Sequence, residues 1–340
     1  MAQAPGAPTD PVASTDNALE VRDLLKHYPV RGSVLGSIGV GERRAVHAVD
    51  GISFTVGKGE IVGLVGESGC GKTTTGKLIT RLESPTSGSI VFEGRDIAGL
   101  SQPQLRAVRK DLQIIFQDPY DSLDPRYTVE RTVQEPLRAQ GETADARRRR
   151  VEETLDMVEL RPARMFMSRF PHELSGGQRQ RVAIARAMIV RPTFVVADEP
   201  VSMLDVSIRA GLLGLMAKWN RELGVSFLFI THDLGVARHM STRIIVMYLG
   251  KIVETGETEA VIGTPKHPYT QMLIAAVPDP DPRTRRAQQE LRGEVPSAID
   301  PPSGCRFHPR CPLAQAICTT DEPILRPLQD GRLAACHFAE

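Results

Sequence analysis

Residues Gly66-Glu67-Ser68-Gly69-Cys70-Gly71-Lys72-Thr73 have the composition and spacing of a phosphate-binding P-loop. Backbone N–H groups can converge on phosphate oxygens only along a tight path that glycine permits. The loop opens a segment of helical spacing, whose N-terminal dipole adds positive potential. Lys72 would supply a point charge to the outer phosphates and the Thr73 hydroxyl a ligand to Mg2+, with Thr74 next in the same turn. Such a site needs a carboxylate at the end of a neighbouring strand, and Phe194-Val195-Val196-Ala197-Asp198-Glu199 provides two. Asp198 suits the Mg2+ shell, and Glu199 suits a general base for the attacking water. No Asn-Lys-x-Asp guanine-reading motif occurs, so the chemistry expected is Mg2+-dependent hydrolysis of ATP.

The elements that must position these groups are legible as apolar runs. Ile61–Val65, Phe194–Ala197, Phe227–Ile230 and the run within Arg243–Tyr248 lack polar alternation, as expected of parallel strands covered on both faces. Thr73–Leu82, Ala146–Val158, Gln178–Ile189 and Ile208–Leu223 carry helical spacing. Together they predict an α/β core. Alternating stretches at Leu19–Leu24, Ile52–Val56 and Ser89–Phe92 predict a smaller antiparallel sheet. Arg147–Arg150 is followed by Glu152 and Glu153 and reads as a solvated helix face. The chain has 340 residues, 42 Lys+Arg and 41 Asp+Glu. That balance argues against nucleic acid as the main partner, which a basic excess would accompany. No apolar run is long enough to span a membrane and Met1–Asn17 lacks a signal-peptide pattern, so a cytosolic setting is expected, with any membrane role exerted through partners.

Leu174-Ser175-Gly176-Gly177-Gln178-Arg179-Gln180-Arg181 repeats the phosphate-binding logic at a second helix start. A chain with its own P-loop has use for such a surface if it faces another subunit's nucleotide. With this stretch the sequence resembles the ATP-binding cassette (ABC) ATPases, from about Glu20 to Thr264. The resemblance implies a P-loop cassette with a RecA-like parallel-sheet core, an antiparallel subdomain and a helical subdomain at about 120–190. It implies that Tyr28 stacks on adenine, that Gly66, Ser68, Gly69, Cys70, Gly71, Lys72, Thr73 and Thr74 surround the phosphates, and that Gln117 senses Mg2+ and the lytic water. Ser202-Met203-Leu204-Asp205 is similar to the D-loop, with Met203 where alanine is usual, and His232 in Thr231-His232-Asp233 is similar to the switch histidine. Lys72, Gln117, Glu199 and His232 are then the catalytic set, and Thr73, Gln117 and Asp198 serve Mg2+. Two cassettes are implied head to tail, with Ser175, Gly177 and Gln178 completing the opposite site.

Finer matches resemble the ATPases of oligopeptide, dipeptide and nickel importers: Phe116–Arg126, Asp198–Ser202, Asp205–Ile208, His267-Pro268-Tyr269-Thr270 and Gly304–Pro312. They imply an ATP-hydrolysing subunit of a peptide importer on the cytoplasmic face of the inner membrane. Its partners would be a second ABC ATPase, two transmembrane permease subunits and, indirectly, an extracytoplasmic substrate-binding protein. The segment Tyr120–Arg126 is then the expected contact to a permease coupling helix. A soluble ABC ATPase, or an importer of nickel chelate, heme or glutathione, is the alternative. The expected organisation is a flexible arm over 1–17, the cassette over 18–264 and a module over 265–340. That module holds 12 of the 25 prolines and four of the five cysteines. Cys305, Cys311, Cys318 and Cys336 lack the close pairs of structural zinc sites, and a cytosolic setting disfavours disulfides. The residues leave an iron–sulfur cluster, zinc with His308 or His337, and free thiols or a disulfide open. The resemblance implies a four-iron–four-sulfur (4Fe–4S) cluster.

Overall fold

The computed structural model describes residues 16–30, 44–118, 122–276 and 293–340. The expected arm over 1–17 therefore falls almost wholly outside the described residues, as do the stretch between the first two strands and residues 120–121 of the expected coupling segment. In chain order the strands are β1 (Asn17–Pro29), β2 (Ala45–Gly57), β3 (Ile61–Val65), β4 (Ser87–Phe92), β5 (Arg95–Asp96) and β6 (Leu112–Ile115). They continue with β7 (Phe194–Asp198), β8 (Ser226–Thr231), β9 (Arg243–Tyr248), β10 (Lys251–Glu257), β11 (Arg326–Pro327) and β12 (Leu333–Ala334).

β1, β2, β4 and β5 form an antiparallel sheet in the order β2-β1-β4-β5, and the others form one sheet in the order β11-β12-β10-β9-β3-β8-β7-β6. Within the larger sheet β9, β3, β8, β7 and β6 run parallel. Every residue of β3, β7 and β8 is buried, which explains the unbroken apolar runs. Successive side chains enter opposite layers, as the pleat requires. Val195, Ala197, Phe227 and Phe229 join the core shared with the helical region, including Val133, Leu137, Val151 and Leu155. Phe194, Val196, Leu228 and Ile230 join the core shared with the antiparallel sheet, including Leu19, Leu24 and Ile52.

Two local readings shift. The helix after the P-loop is Lys72–Ile79 and stops three residues before Leu82, because Thr80 ends it and Arg81 turns to φ +53°. Two of the four consecutive arginines are not simply solvated: Arg147 donates to Gln134 and Arg150 to Glu142 and the Ile189 carbonyl.

The proline-rich tail is tied into the main sheet. β12 pairs with β10, and the Ala335 N–H donates to the Val253 carbonyl at 2.8 Å. Tyr248 of β9, Tyr269, Met272 and Phe307 share a third buried cluster. Glu254 of β10, fully buried, accepts the N–H groups of Lys266 and His267 at 2.9 and 2.8 Å. His267 is buried too, and its Nδ1 accepts the Tyr269 N–H at 3.0 Å to cap the helix Pro268–Ala275. Burial pushes the His267 pKa down from 6.5 to about 3.

A pH dependence follows from that shift. The folded chain keeps His267 neutral, whereas the unfolded chain takes up a proton below pH 6.5. Its contribution is therefore complete above that pH and is lost as pH falls toward about 3, costing about 3 kcal/mol at roughly pH 4.5. Burial moves Glu254 the other way, up from 4.5, and this offsets part of the loss. Denaturant unfolding of wild type and His267→Gln between pH 7.5 and 4.5 isolates the histidine: the acid-side slope is expected to be shallower in the variant. Parallel pH profiles would contradict the assignment.

Candidate functional site

The parallel order places four strand ends side by side, where α/β sheets hold their ligands. β3 delivers the P-loop, β8 delivers His232, β7 delivers Asp198 and Glu199, and β6 delivers Gln117 through Phe116. The sequence supplies these groups from positions up to 166 residues apart only because adjacent strands run in the same direction.

The P-loop folds tightly against its surroundings. Gly71 sits at φ +110°, and a Cβ there would overlap the Ala48 carbonyl oxygen, so only glycine fits. Ser68 and Gly69 lie exposed at the tip, while Gly66 and Cys70 are buried. Burial pushes the Cys70 thiol pKa up, marking it as a packed loop residue rather than a nucleophile. The buried Lys72 ammonium donates to the Gly66 and Glu67 carbonyls at 2.8 and 2.9 Å, inside the loop's curve. The Thr73 hydroxyl donates to Asp198 at 3.2 Å, so the two expected Mg2+-side groups meet. Asp198 is 2% exposed, and burial, with the neighbouring Glu199 adding to it, raises its pKa against the pull of Thr73 and Lys72. A buried carboxylate facing a hydroxyl in this way is a fitting pair of donors for a hard dication.

Glu199 is the hub of the second half. It turns to φ +45°, uncommon for a residue with a side chain, while its N–H donates to the Ile230 carbonyl at 2.9 Å. Its carboxylate then accepts from Gln117 Nε2 at 3.0 Å and stands 3.0 Å from His232 Nδ1. His232 and Gln117 are exposed, whereas the Glu199 side chain is only 13% exposed. Two residues from separate motifs thus converge on the carboxylate of a third.

Tyr28 lies beside the P-loop helix. Its hydroxyl bonds Glu83, and the Lys26 ammonium stands 4.7 Å from its ring centroid. Burial, followed by Glu83, pushes the Tyr28 pKa up to about 12, and Thr74 is also within hydrogen-bond reach of it. Ser175 and Gln178 do not join this group. They cap the helix Gly176–Met188, Ser175 Oγ accepting the Gln178 N–H at 3.3 Å and Gln178 Oε1 accepting the Ser175 N–H at 3.0 Å. Ser175 and Gly176 are exposed and Gly177 is packed against Ile208, which leaves a helix N-terminus facing outward.

The four tail cysteines line one small pocket with Phe307, His308, Leu313 and His337. Gly304, at φ +64°, allows the Cys305 N–H to reach the Cys318 carbonyl at 2.9 Å. Burial, with smaller repulsion from the other three thiols, pushes the Cys305 pKa up to about 11. Among the described residues only His27, His47 and Asp50 bring three metal-ligating atoms within 4.8 Å of one another. The thiols therefore converge without closing on a single ion. Sequence reasoning did not single out Glu67, Arg310 or the Tyr269 hydroxyl, which meet behind the P-loop. The only signal for them was that Glu67 falls within the P-loop motif and Tyr269 and Arg310 within the tail motifs.

Fold and site together define an ABC ATPase. The ABC transporter family model matches residues 49–202, and the model for the oligopeptide/dipeptide transporter C-terminal region matches residues 253–318. The chain belongs to the ATP-binding proteins of ABC transporters, in the branch that carries this C-terminal region. It is 48% identical over 326 residues, 95% of this chain and 90% of the relative, to a probable peptide ABC transporter ATP-binding protein of Sinorhizobium fredii. It is 46% identical over 330 residues, 96% and 98% of the two chains, to the oligopeptide transport ATP-binding protein AppF of Bacillus subtilis. A dimeric ATP-binding cassette in a post-hydrolysis state bound to ADP and Pi superposes with a TM-score of 0.62 at 31% identity, covering 71% of this chain and 98% of that one. No helix among the described residues is long and apolar enough to cross a membrane.

Proposed function

We propose that this chain is the ATP-hydrolysing subunit of an importer for di- or oligopeptides, working as a head-to-tail pair of cassettes on two permease subunits at the cytoplasmic face of the membrane. The observation that carries the chemistry is the convergence of Gln117 and His232 on Glu199, one residue from the Thr73–Asp198 pair. In this reading Tyr28 stacks on adenine, and the backbone from Gly66 to Gly71, with Lys72, Thr73 and Thr74, holds the phosphates. Bound Mg2+ would neutralise phosphate charge beside Thr73 and Asp198. The Glu199 carboxylate takes the proton of the attacking water, while Gln117 Nε2 and the His232 ring fix the carboxylate's direction. The outward-facing helix start at Ser175, with Gly177 and Gln178, would meet the γ-phosphate of the partner cassette. Exposed Met203, 64% accessible, and Val206, 80% accessible, suit a face that a second cassette covers. An extracytoplasmic binding protein would deliver the peptide to the permeases, and the segment around Tyr120–Arg126 would receive the permease contact.

Peptide import is supported by the similarity to ATP-binding proteins of peptide and oligopeptide transporters and by the match to the oligopeptide/dipeptide transporter C-terminal region. The test is affinity purification of the chain from its own membranes under mild detergent. Polytopic subunits and peptide-stimulated ATP hydrolysis are expected to come with it. Recovery with ribosomes or DNA and no membrane subunit would contradict the proposal.

The cysteines are proposed to hold a 4Fe–4S cluster as a structural or redox-sensing group. The reading rests on the four thiols lining one pocket and on four thiolates being the ligand set such a cluster takes. Anaerobically purified protein is expected to be brown, with broad visible absorption that Cys318→Ser greatly reduces. Iron-free protein with a bound zinc ion, or with none, would overturn this assignment and leave the ATP site untouched.

A further inference from the structure

Behind the P-loop is a set of buried contacts that phosphate binding by itself does not require. Every polar group of Glu67 is engaged. Its carboxylate accepts two parallel bonds from Arg310 at 2.8 and 3.1 Å, and its N–H donates to the Tyr269 hydroxyl at 2.8 Å. Its carbonyl accepts from the Lys72 ammonium at 2.9 Å. Two of these partners come from the tail, and the third is the lysine that meets the phosphates. Arg310 is 4% exposed, lies 243 residues from Glu67 in the chain and immediately precedes Cys311. Tyr248, Tyr269 and Phe307 pack ring against ring between the loop and the cysteine pocket, with centroids 4.6 to 5.4 Å apart. Phe307 also lines that pocket. The P-loop and the cysteine site therefore share a continuous buried wall.

We propose that Arg310 is a positioning residue for the nucleotide site: by gripping Glu67 it holds the P-loop in its phosphate-binding shape, and so links nucleotide affinity to the order of the cysteine tail. The proposal rests on the reading of the P-loop as the ATP site. A two-bond guanidinium–carboxylate pair fixes direction as well as charge. The Arg310 side chain is 4% exposed and that of Glu67 18%, so removing one partner leaves a largely buried charge uncompensated, and the loop rearranges to hydrate it. Because Glu67 also holds Lys72, that rearrangement moves the ammonium. The coupling is reciprocal by thermodynamic necessity. Disordering the tail weakens nucleotide binding, and bound nucleotide tightens the segment containing Cys305 and Cys311.

The test uses the full chain and a fluorescent ATP analogue. Arg310→Met and Glu67→Gln are each expected to weaken binding roughly tenfold. The double variant is expected to be no weaker than either single one, because both remove one interaction. Arg310→Lys, which keeps the charge without the two-pronged geometry, is expected to fall between wild type and Arg310→Met. A second readout is the backbone hydrogen-exchange rate of the segment containing Cys305 and Cys311, resolved by mass spectrometry, which does not depend on free thiols. Nucleotide should slow it several-fold in wild type and leave it unchanged in Arg310→Met. If Arg310→Met does not fold, Glu67→Gln, Arg310→Lys and the wild-type exchange decide. Variant affinities within about twofold of wild type, additive losses in the double variant, or exchange indifferent to nucleotide in wild type would overturn the proposal. Wild-type protein that binds no nucleotide would instead overturn the ATP-site reading beneath it.

Discussion

Glu199→Gln is expected to bind ATP with near-normal affinity and to hydrolyse it roughly 10²–10⁴-fold more slowly, the range a positioned general base contributes. The substitution preserves size and polarity. The amide can still meet Gln117 and His232, whose approaches of 3.0 Å surround the carboxylate. It removes only the capacity to accept a proton. Binding depends on the P-loop, which Glu199 does not contact through its side chain, so affinity and turnover separate. Equilibrium binding of labelled ATP, with single-turnover phosphate release, measures both. Turnover within a few-fold of wild type would show that another group takes the proton.

Lys72→Ala is expected to have the opposite signature, with binding itself lost. The ammonium is 5% exposed and is directed into the loop by the Gly66 and Glu67 carbonyls. Each hydrogen bond from a charged group contributes about 1.5–3 kcal/mol, so two such bonds to phosphate amount to roughly 10²–10⁴ in affinity. Titration calorimetry with MgATP should show Kd rising by that factor or beyond measurement. Fold stability should change much less, because the loop carbonyls that Lys72 now satisfies can turn to water. A variant with near-normal affinity would mean that the backbone cradle alone supplies the binding energy.

The two variants separate a loop that binds from a strand-end carboxylate that reacts, and they bear on Arg310 as well. That residue is expected to change affinity, as Lys72 does, although it lies in the tail and touches no phosphate. The tail reaches the P-loop at Glu67, through Arg310 on its carboxylate and the Tyr269 hydroxyl on its N–H.

Much of this was legible in the sequence because the signals are local. The P-loop glycines, the apolar runs of β3, β7 and β8, and the residues that follow them each depend on backbone geometry and burial within a few positions. Glu199 stood out as a carboxylate after an apolar run, and the resemblance to ABC ATPases singled out Gln117 and His232. The sequence also placed Ser175 at a helix start, and the structure confirms that local cap without bringing it to the chain's own P-loop. Local signals could not show that Gln117 and His232 would share the Glu199 carboxylate. That depends on the order β3-β8-β7-β6, set by which strands pair rather than by any one segment.

The tail marks the boundary most clearly. Its prolines and cysteines announced a distinct composition, and composition suggested a module laid over the core. Tertiary pairing decided how it is attached: β12 extends the main sheet, Glu254 and His267 bury their polar groups at the seam, and Arg310 reaches a P-loop residue 243 positions away. The sequence by itself determined the chemistry of this protein, because a phosphate site is written in contiguous residues. Only the tertiary structure decided which tail residues reach the P-loop, because an ion pair between distant residues leaves no periodicity or spacing by which either partner could be found alone.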